Sequence, residues 1–99
     1  MMQANNTQQL LLNLNEIEMY LISNEKPVDA ERINKIRLQI KNNSSHEMLT
    51  HAIKKFIAMA SVKYLGDIQI KEFYSPYEWM NYLSKTVELA KSILKDIAY

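Results

Sequence analysis

The stretch HEMLTH at residues 46–51 sets two histidines around a glutamate, the raw material of a zinc hydrolase. The spacing defeats that chemistry. Two histidines share a metal ion on a helix when they stand four apart, on one face, with the glutamate serving as general base. His46 and His51 are five apart, a rotation of about 140° on a helix, so no metal site is expected. Glu16 and Glu18 are two apart and diverge on a helix, so they do not make a carboxylate pair. One glycine in the whole chain excludes a glycine-rich phosphate loop, and the absence of cysteine excludes disulfides and thiolate metal sites. No serine stands in a recognisable triad setting. The expectation is a non-enzymatic protein with no cofactor.

The aromatic residues carry more information. There are nine, and five of them (Phe73, Tyr74, Tyr77, Trp79 and Tyr82) fall within ten positions. This segment has the signals of a helix start. Ser75 suits the N-cap, Pro76 takes the first helical position, and Glu78 sits three residues after the serine, completing a capping box. Tyr74 and Trp79 then occupy the two positions of a hydrophobic staple. Beyond them Met80, Leu83, Val87, Ala90, Leu94 and Ile97 recur at helical spacing and predict the buried seam of a helix over 76–98.

Three further helices are predicted upstream. One spans 7–23, capped by Asn6 with Gln9 in capping-box position, with Leu10, Leu14, Ile17 and Leu21 on one face. Pro27 keeps it from continuing. A second spans 30–41, capped by Asp29, with Ile33, Ile36 and Ile40 buried and Glu31 four residues before Lys35 as a supporting pair. A third spans 45–65, with Ser44 and Glu47 as its capping box. Leu49, Ile53, Phe56 and Ala60 form its stripe, and Gly66 takes the left-handed residue after its end. Residues 67–74 read as an extended connection tucking in Ile68, Ile70 and Phe73, with a short helical turn as the alternative. Few turn residues and four amphipathic helices predict an all-α fold, an antiparallel four-helix bundle forming one domain over 1–99.

Composition bounds the function. The apolar share is 47 % and the charged share 23 %, ordinary for a soluble globular chain. No apolar run approaches the ~18 residues that cross a bilayer, and the N-terminus lacks the basic region of a signal peptide. A cytoplasmic location is therefore expected. Net charge is +1, which disfavours nucleic acid as a partner. Residues 29–63 nevertheless hold seven basic against three acidic side chains, and a nucleic-acid module on Arg32, Lys35, Arg37 and Lys41 is the reading this patch would allow.

Some apolar side chains lie off the predicted seams. Tyr77 falls about 120° from the centre of the last helix's seam, and Tyr82, Leu89 and Ile93 form a second stripe on its other side. Either this stripe packs on a second neighbour, or Tyr77, Tyr82, Leu89 and Ile93, with Tyr99 at the end of the helix, form a surface for a protein partner. Leu12 and Met19 stand off the main stripe of the first helix, which leaves monomer and homodimer both open.

The segment MASVKYLGDIQIKEFYSPYEWM (59–80) resembles the immunity proteins that protect bacteria making pediocin-like (class IIa) bacteriocins. In that family the third helix ends in an alanine and a small hydroxylated residue, here Ala60 and Ser61. An Ile-basic-Phe element follows, here Ile70, Lys71 and, one residue late, Phe73. A Ser or Thr then opens the fourth helix with a glutamate in its first turn, here Ser75 and Glu78. The resemblance implies a cytosolic four-helix bundle that recognises a sugar-transporter membrane receptor, the mannose phosphotransferase permease, when a bacteriocin engages it. It implies specificity residing in the C-terminal half. This sequence departs from the family in lacking a polar tail after the fourth helix, which shifts specificity to that helix and to residues 67–74. The alternative of another kind is a helical adaptor or regulator, such as an anti-activator or secretion chaperone, using the same surface.

Overall fold

The computed structural model describes the backbone of residues 2–61 and 63–97, with side chains from residue 6 onward. The described residues form four helices, α1 (Met2–Ser23), α2 (Pro27–Lys41), α3 (His46–Met59) and α4 (Pro76–Ile97), and a single 3-10 turn at Leu65–Asp67. The fold is an all-α bundle.

Apolar periodicity decides what lies inside. Leu10, Leu14, Ile17 and Leu21 of α1 are all fully buried, as are Ile33 of α2 and Ala52, Ile53 and Phe56 of α3. Ile36, Ile40 and Leu49 complete the same faces. The link between α1 and α2 and the link between α2 and α3 are three to four residues long, so each pair runs antiparallel. Across the α1–α4 interface Tyr20 meets Trp79, Glu16 meets Tyr82 and Asn13 meets Thr86. One register falls as the other climbs, so α4 is antiparallel to α1.

The helices depart from the sequence expectation in five places, four of them at helix ends. First, α1 begins at Met2 rather than 7, because Met, Gln and Ala are good helix formers and nothing stops the helix before Asn6. Gln9 is thus interior and donates to Asn13 at 2.9 Å. Second, α2 begins at Pro27, with Lys26 as N-cap. Proline is at home in the first turn because its missing N–H would be unpaired there in any case. Asp29 is therefore not the cap but a first-turn carboxylate at the positive end of the helix dipole. Third, Ser45 and not Ser44 caps α3, its side chain accepting from the Met48 amide at 3.1 Å.

Fourth, α3 stops at Met59, not 65, with Ala60 as its C-cap. The chain instead turns Leu65 fully into the core. Gly66 lies in the 3-10 turn, and no glycine has positive φ. The left-handed residue belongs to α1. Glu25 has φ 61, and the amides of Lys26 and Glu25 bond the carbonyls of Leu21 and Ile22 at 2.8 and 3.1 Å. This is a Schellman closure with a glutamate where glycine is usual.

Fifth, the buried line of α4 is Trp79, Leu83, Thr86, Ala90 and Ile93. Leu83 and Ala90 are as expected, while Met80, Val87, Leu94 and Ile97 lie half-buried on its shoulder. Thr86 is tolerated inside because its hydroxyl donates to the Tyr82 carbonyl at 2.9 Å and accepts from Asn13 at 3.2 Å.

Candidate protein-contact site

The start of α4 forms as its sequence requires. Ser75 and Glu78 exchange bonds, amide to carboxylate at 3.0 Å and amide to hydroxyl at 3.4 Å. That reciprocal pairing satisfies two otherwise orphan donors. The staple is different from expectation. Tyr74 is 98 % exposed, and it is Phe73 that packs on Trp79, ring centres 5.4 Å apart. The reason is a turn in the connection. The Phe73 amide bonds the Ile70 carbonyl at 3.2 Å, which brings Ile70 and Phe73 inward together and leaves Tyr74 pointing out.

Beneath the connection Tyr20, Phe73, Trp79 and Tyr82 form a closed aromatic cluster. Tyr20 meets Phe73 edge-on at 5.1 Å, and Phe73 lies 5.7 Å from Tyr82. Such contacts add about 0.5–1.5 kcal/mol each beyond area burial. The indole of Trp79 donates to the Leu65 carbonyl at 2.8 Å.

Polar groups tie the connection down from above. Asn24, just past α1, donates to Glu72 and to the Tyr20 carbonyl, each at 2.7 Å, and accepts from the Lys71 amide at 2.9 Å. Ser23 donates to the other Glu72 oxygen at 2.5 Å. These bonds, that from Ser23 foremost, favour the charged form and hold the Glu72 carboxyl below its ordinary range. The segment from Ile70 to Ser75 is thus fixed at both faces, aromatic below and polar above.

What this scaffold presents is a pair of tyrosines. Tyr74 is almost wholly exposed and Tyr77 is 75 % exposed, on either side of Ser75 and Pro76. Phe73 floors two shallow concavities beside them. One, of about 210 Å³, runs past Ile70, Lys71 and Tyr74. The other, of about 310 Å³, runs past Glu78, Tyr82 and Lys85.

The partner surface expected from sequence is not assembled as drawn. Tyr77 is exposed, as the surface would require. Ile93 is fully buried, so it belongs to the core and cannot face a partner. Leu89 is half-buried against that core. Tyr82 is half-buried and has its hydroxyl committed to α1, donating to Glu16 at 2.5 Å with the Asn13 carbonyl at 3.4 Å. Burial first, then the bond to Glu16 and its negative charge, push the Tyr82 phenol well above its ordinary value. Tyr99 lies outside the described residues. Leu12 and Met19 are both 61 % exposed, with Ile22 beside Met19 at 58 %.

The basic quartet on α2 is divided between two grooves. Arg32 and Lys35 face α3, whereas Arg37 and Lys41 face α1. Arg37 there lies 3.5 Å from Glu18 and donates to Asn34 at 2.7 Å. A continuous phosphate-tracking stripe is not presented. Among the described residues no three His, Cys, Asp or Glu side chains are grouped to hold a metal ion, and no helix is long and apolar enough to cross a membrane. No family model, curated protein or solved structure matches the chain.

Proposed function

We propose that the chain is a non-enzymatic immunity protein, protecting its host against a class IIa bacteriocin by protein–protein contact with a membrane receptor complex from the cytoplasmic side. The observation that carries this reading is the exposed Tyr74–Tyr77 pair, Tyr74 on a connection tied down by Asn24, Ser23 and the Phe73 cluster and Tyr77 in the first turn of α4. Tyrosine is among the residues enriched at the energetic centres of protein interfaces. They fall inside the segment that resembles the immunity family. Local geometry supports the resemblance too. Ala60 and Ser61 stand at the end of α3, Ile70 and Phe73 turn inward with Lys71 outside, and Ser75 with Glu78 opens α4.

The test is expression of the full chain in a strain sensitive to class IIa peptides. Survival against at least one member of a panel is expected, and Tyr74→Ala with Tyr77→Ala should abolish it while the circular dichroism spectrum stays unchanged. Undiminished killing by every peptide would overturn the proposal. Protection that survives the double substitution would remove the tyrosine pair from it.

A further inference from the structure

The groove between α2 and α3 has a composition that the contact reading does not use. It encloses about 400 Å³, within the roughly 300–1,000 Å³ range of small-molecule sites. Ile36, Ala58 and Met59 supply an apolar floor, and Arg32, Lys35 and Lys55 stand around it without a carboxylate among the lining residues. The two acids nearby are engaged. Asp29 accepts from the Tyr64 hydroxyl at 3.2 Å, and Glu31 lies 3.8 Å from Lys35. The second pair is well exposed, 72 % and 67 %, so exchanging it for a ligand costs little.

Arg32 is held in place. It donates to the Tyr64 hydroxyl, and its guanidinium carbon lies 6.0 Å from the centre of that ring. Tyr64 in turn is bound to Asp29, so the three form a fixed wall, and the planar guanidinium retains a fork suited to a phosphate or carboxylate. Three cations over an apolar floor match a ligand with an anionic head and a short apolar chain. A bare anion would leave the floor wet, and a neutral apolar molecule would leave the cations without a partner.

We infer that the α2–α3 groove is a binding site for a free single-chain anionic amphiphile, its head on Arg32, Lys35 and Lys55 and its chain over Ile36, Ala58 and Met59. The occupant is a monomer in solution rather than a lipid within a bilayer, because the floor lies in the cleft between α2 and α3, with Ile36 at its buried base and only Ala58 exposed.

The probe is octyl phosphate below its critical micelle concentration, titrated into the isotope-labelled full chain and followed by amide shifts. Saturable shifts at Arg32, Ile36, Lys55 and Met59 are expected. Lys35→Gln with Lys55→Gln should weaken them by roughly tenfold or more, the scale of lost charge-assisted bonds. Both lysines are exposed, and an unchanged melting curve will show that the variant folds. The inference is overturned by any of four results: no saturable shift in the groove, equal affinity in the double variant, equal affinity for octanol or inorganic phosphate, or binding only to phosphatidylglycerol vesicles.

Discussion

The indole nitrogen of Trp79 donates to the carbonyl of Leu65 at 2.8 Å, inside the core. Both residues are essentially without solvent contact. The bond joins the first turn of α4 to the 3-10 turn at Leu65–Asp67, so it fixes where the long connection closes. Trp79→Phe removes the donor and part of the volume. A buried acceptor losing a partner costs about 1–3 kcal/mol, moderated here because the Leu65 carbonyl also accepts from the Ile68 amide at 3.1 Å. Urea unfolding of the variant should show a loss in that range. A change below about 0.5 kcal/mol, the level of ordinary surface substitutions, would mean the bond does not hold the connection.

Ile93 and Tyr77 lie on the same helix and make opposite predictions. Ile93 is fully buried and Tyr77 is 75 % exposed. Ile93→Ala should cost about 2–5 kcal/mol through the cavity it leaves, and Tyr77→Ala should stay within about 0.5 kcal/mol. Thermal melts of the two variants decide it. Equal effects would mean that α4 is rotated from the orientation described.

The two serines before α3 separate a cap from its neighbour. Ser45 accepts from the Met48 amide, whereas the Ser44 hydroxyl reaches only the Met48 sulfur, at 3.8 Å. Ser45→Ala should therefore lose about 1 kcal/mol, and Ser44→Ala almost nothing. The reverse order would restore the capping box of Ser44 with Glu47.

These corrections show what was legible in the sequence. The stripes of α1, α2 and α3 could be read because their buried faces repeat without interruption at helical spacing. Two residues hide the phase of α4. Thr86 is polar and interrupts the apolar repeat, and Trp79 also suits a staple with Tyr74, so neither reads as buried. Burying both moves the seam by one residue, from 80, 87 and 94 to 79, 86 and 93, and carries Ile93 from the proposed surface into the core. The end of α3 was hidden because apolar spacing runs on through Ala60 and Tyr64 after the helix has stopped. Of the candidate contact site, Tyr77 is legible from its angle. Tyr74 is not, because its exposure depends on the Ile70–Phe73 turn. The cationic groove joins Arg32 and Lys35 to Lys55 of another helix, a meeting that only packing can arrange.

Glu25 occupies the left-handed region with φ 61, a conformation that costs a residue with a Cβ roughly 1–2 kcal/mol. Glycine would remove that strain at the expense of about 0.5–1 kcal/mol in unfolded-state entropy. Glu25→Gly should raise stability by up to about 1 kcal/mol, measured by urea unfolding. A clear loss would mean that the glutamate side chain contributes more than the backbone geometry suggests.

Tyr82 links α4 to α1 through a bond that exists only while the phenol keeps its proton. The phenol donates to Glu16, and burial, that bond and the glutamate charge raise its folded pKa above the ordinary value of 10.0. The folded chain therefore holds this proton more tightly than the unfolded chain does. The resulting stability is fully present below about pH 10 and is lost as pH rises toward the folded value. Alkaline titration followed by tyrosinate absorbance should show Tyr82 ionising last, together with the loss of helix signal. In Tyr82→Phe the alkaline decline should become shallower, from a starting stability lower by about 1 kcal/mol for the missing bond. Ionisation of Tyr82 in the ordinary phenol range with the helices intact would show that its hydroxyl is not committed to Glu16, and would return Tyr82 to the exposed surface beside Tyr77.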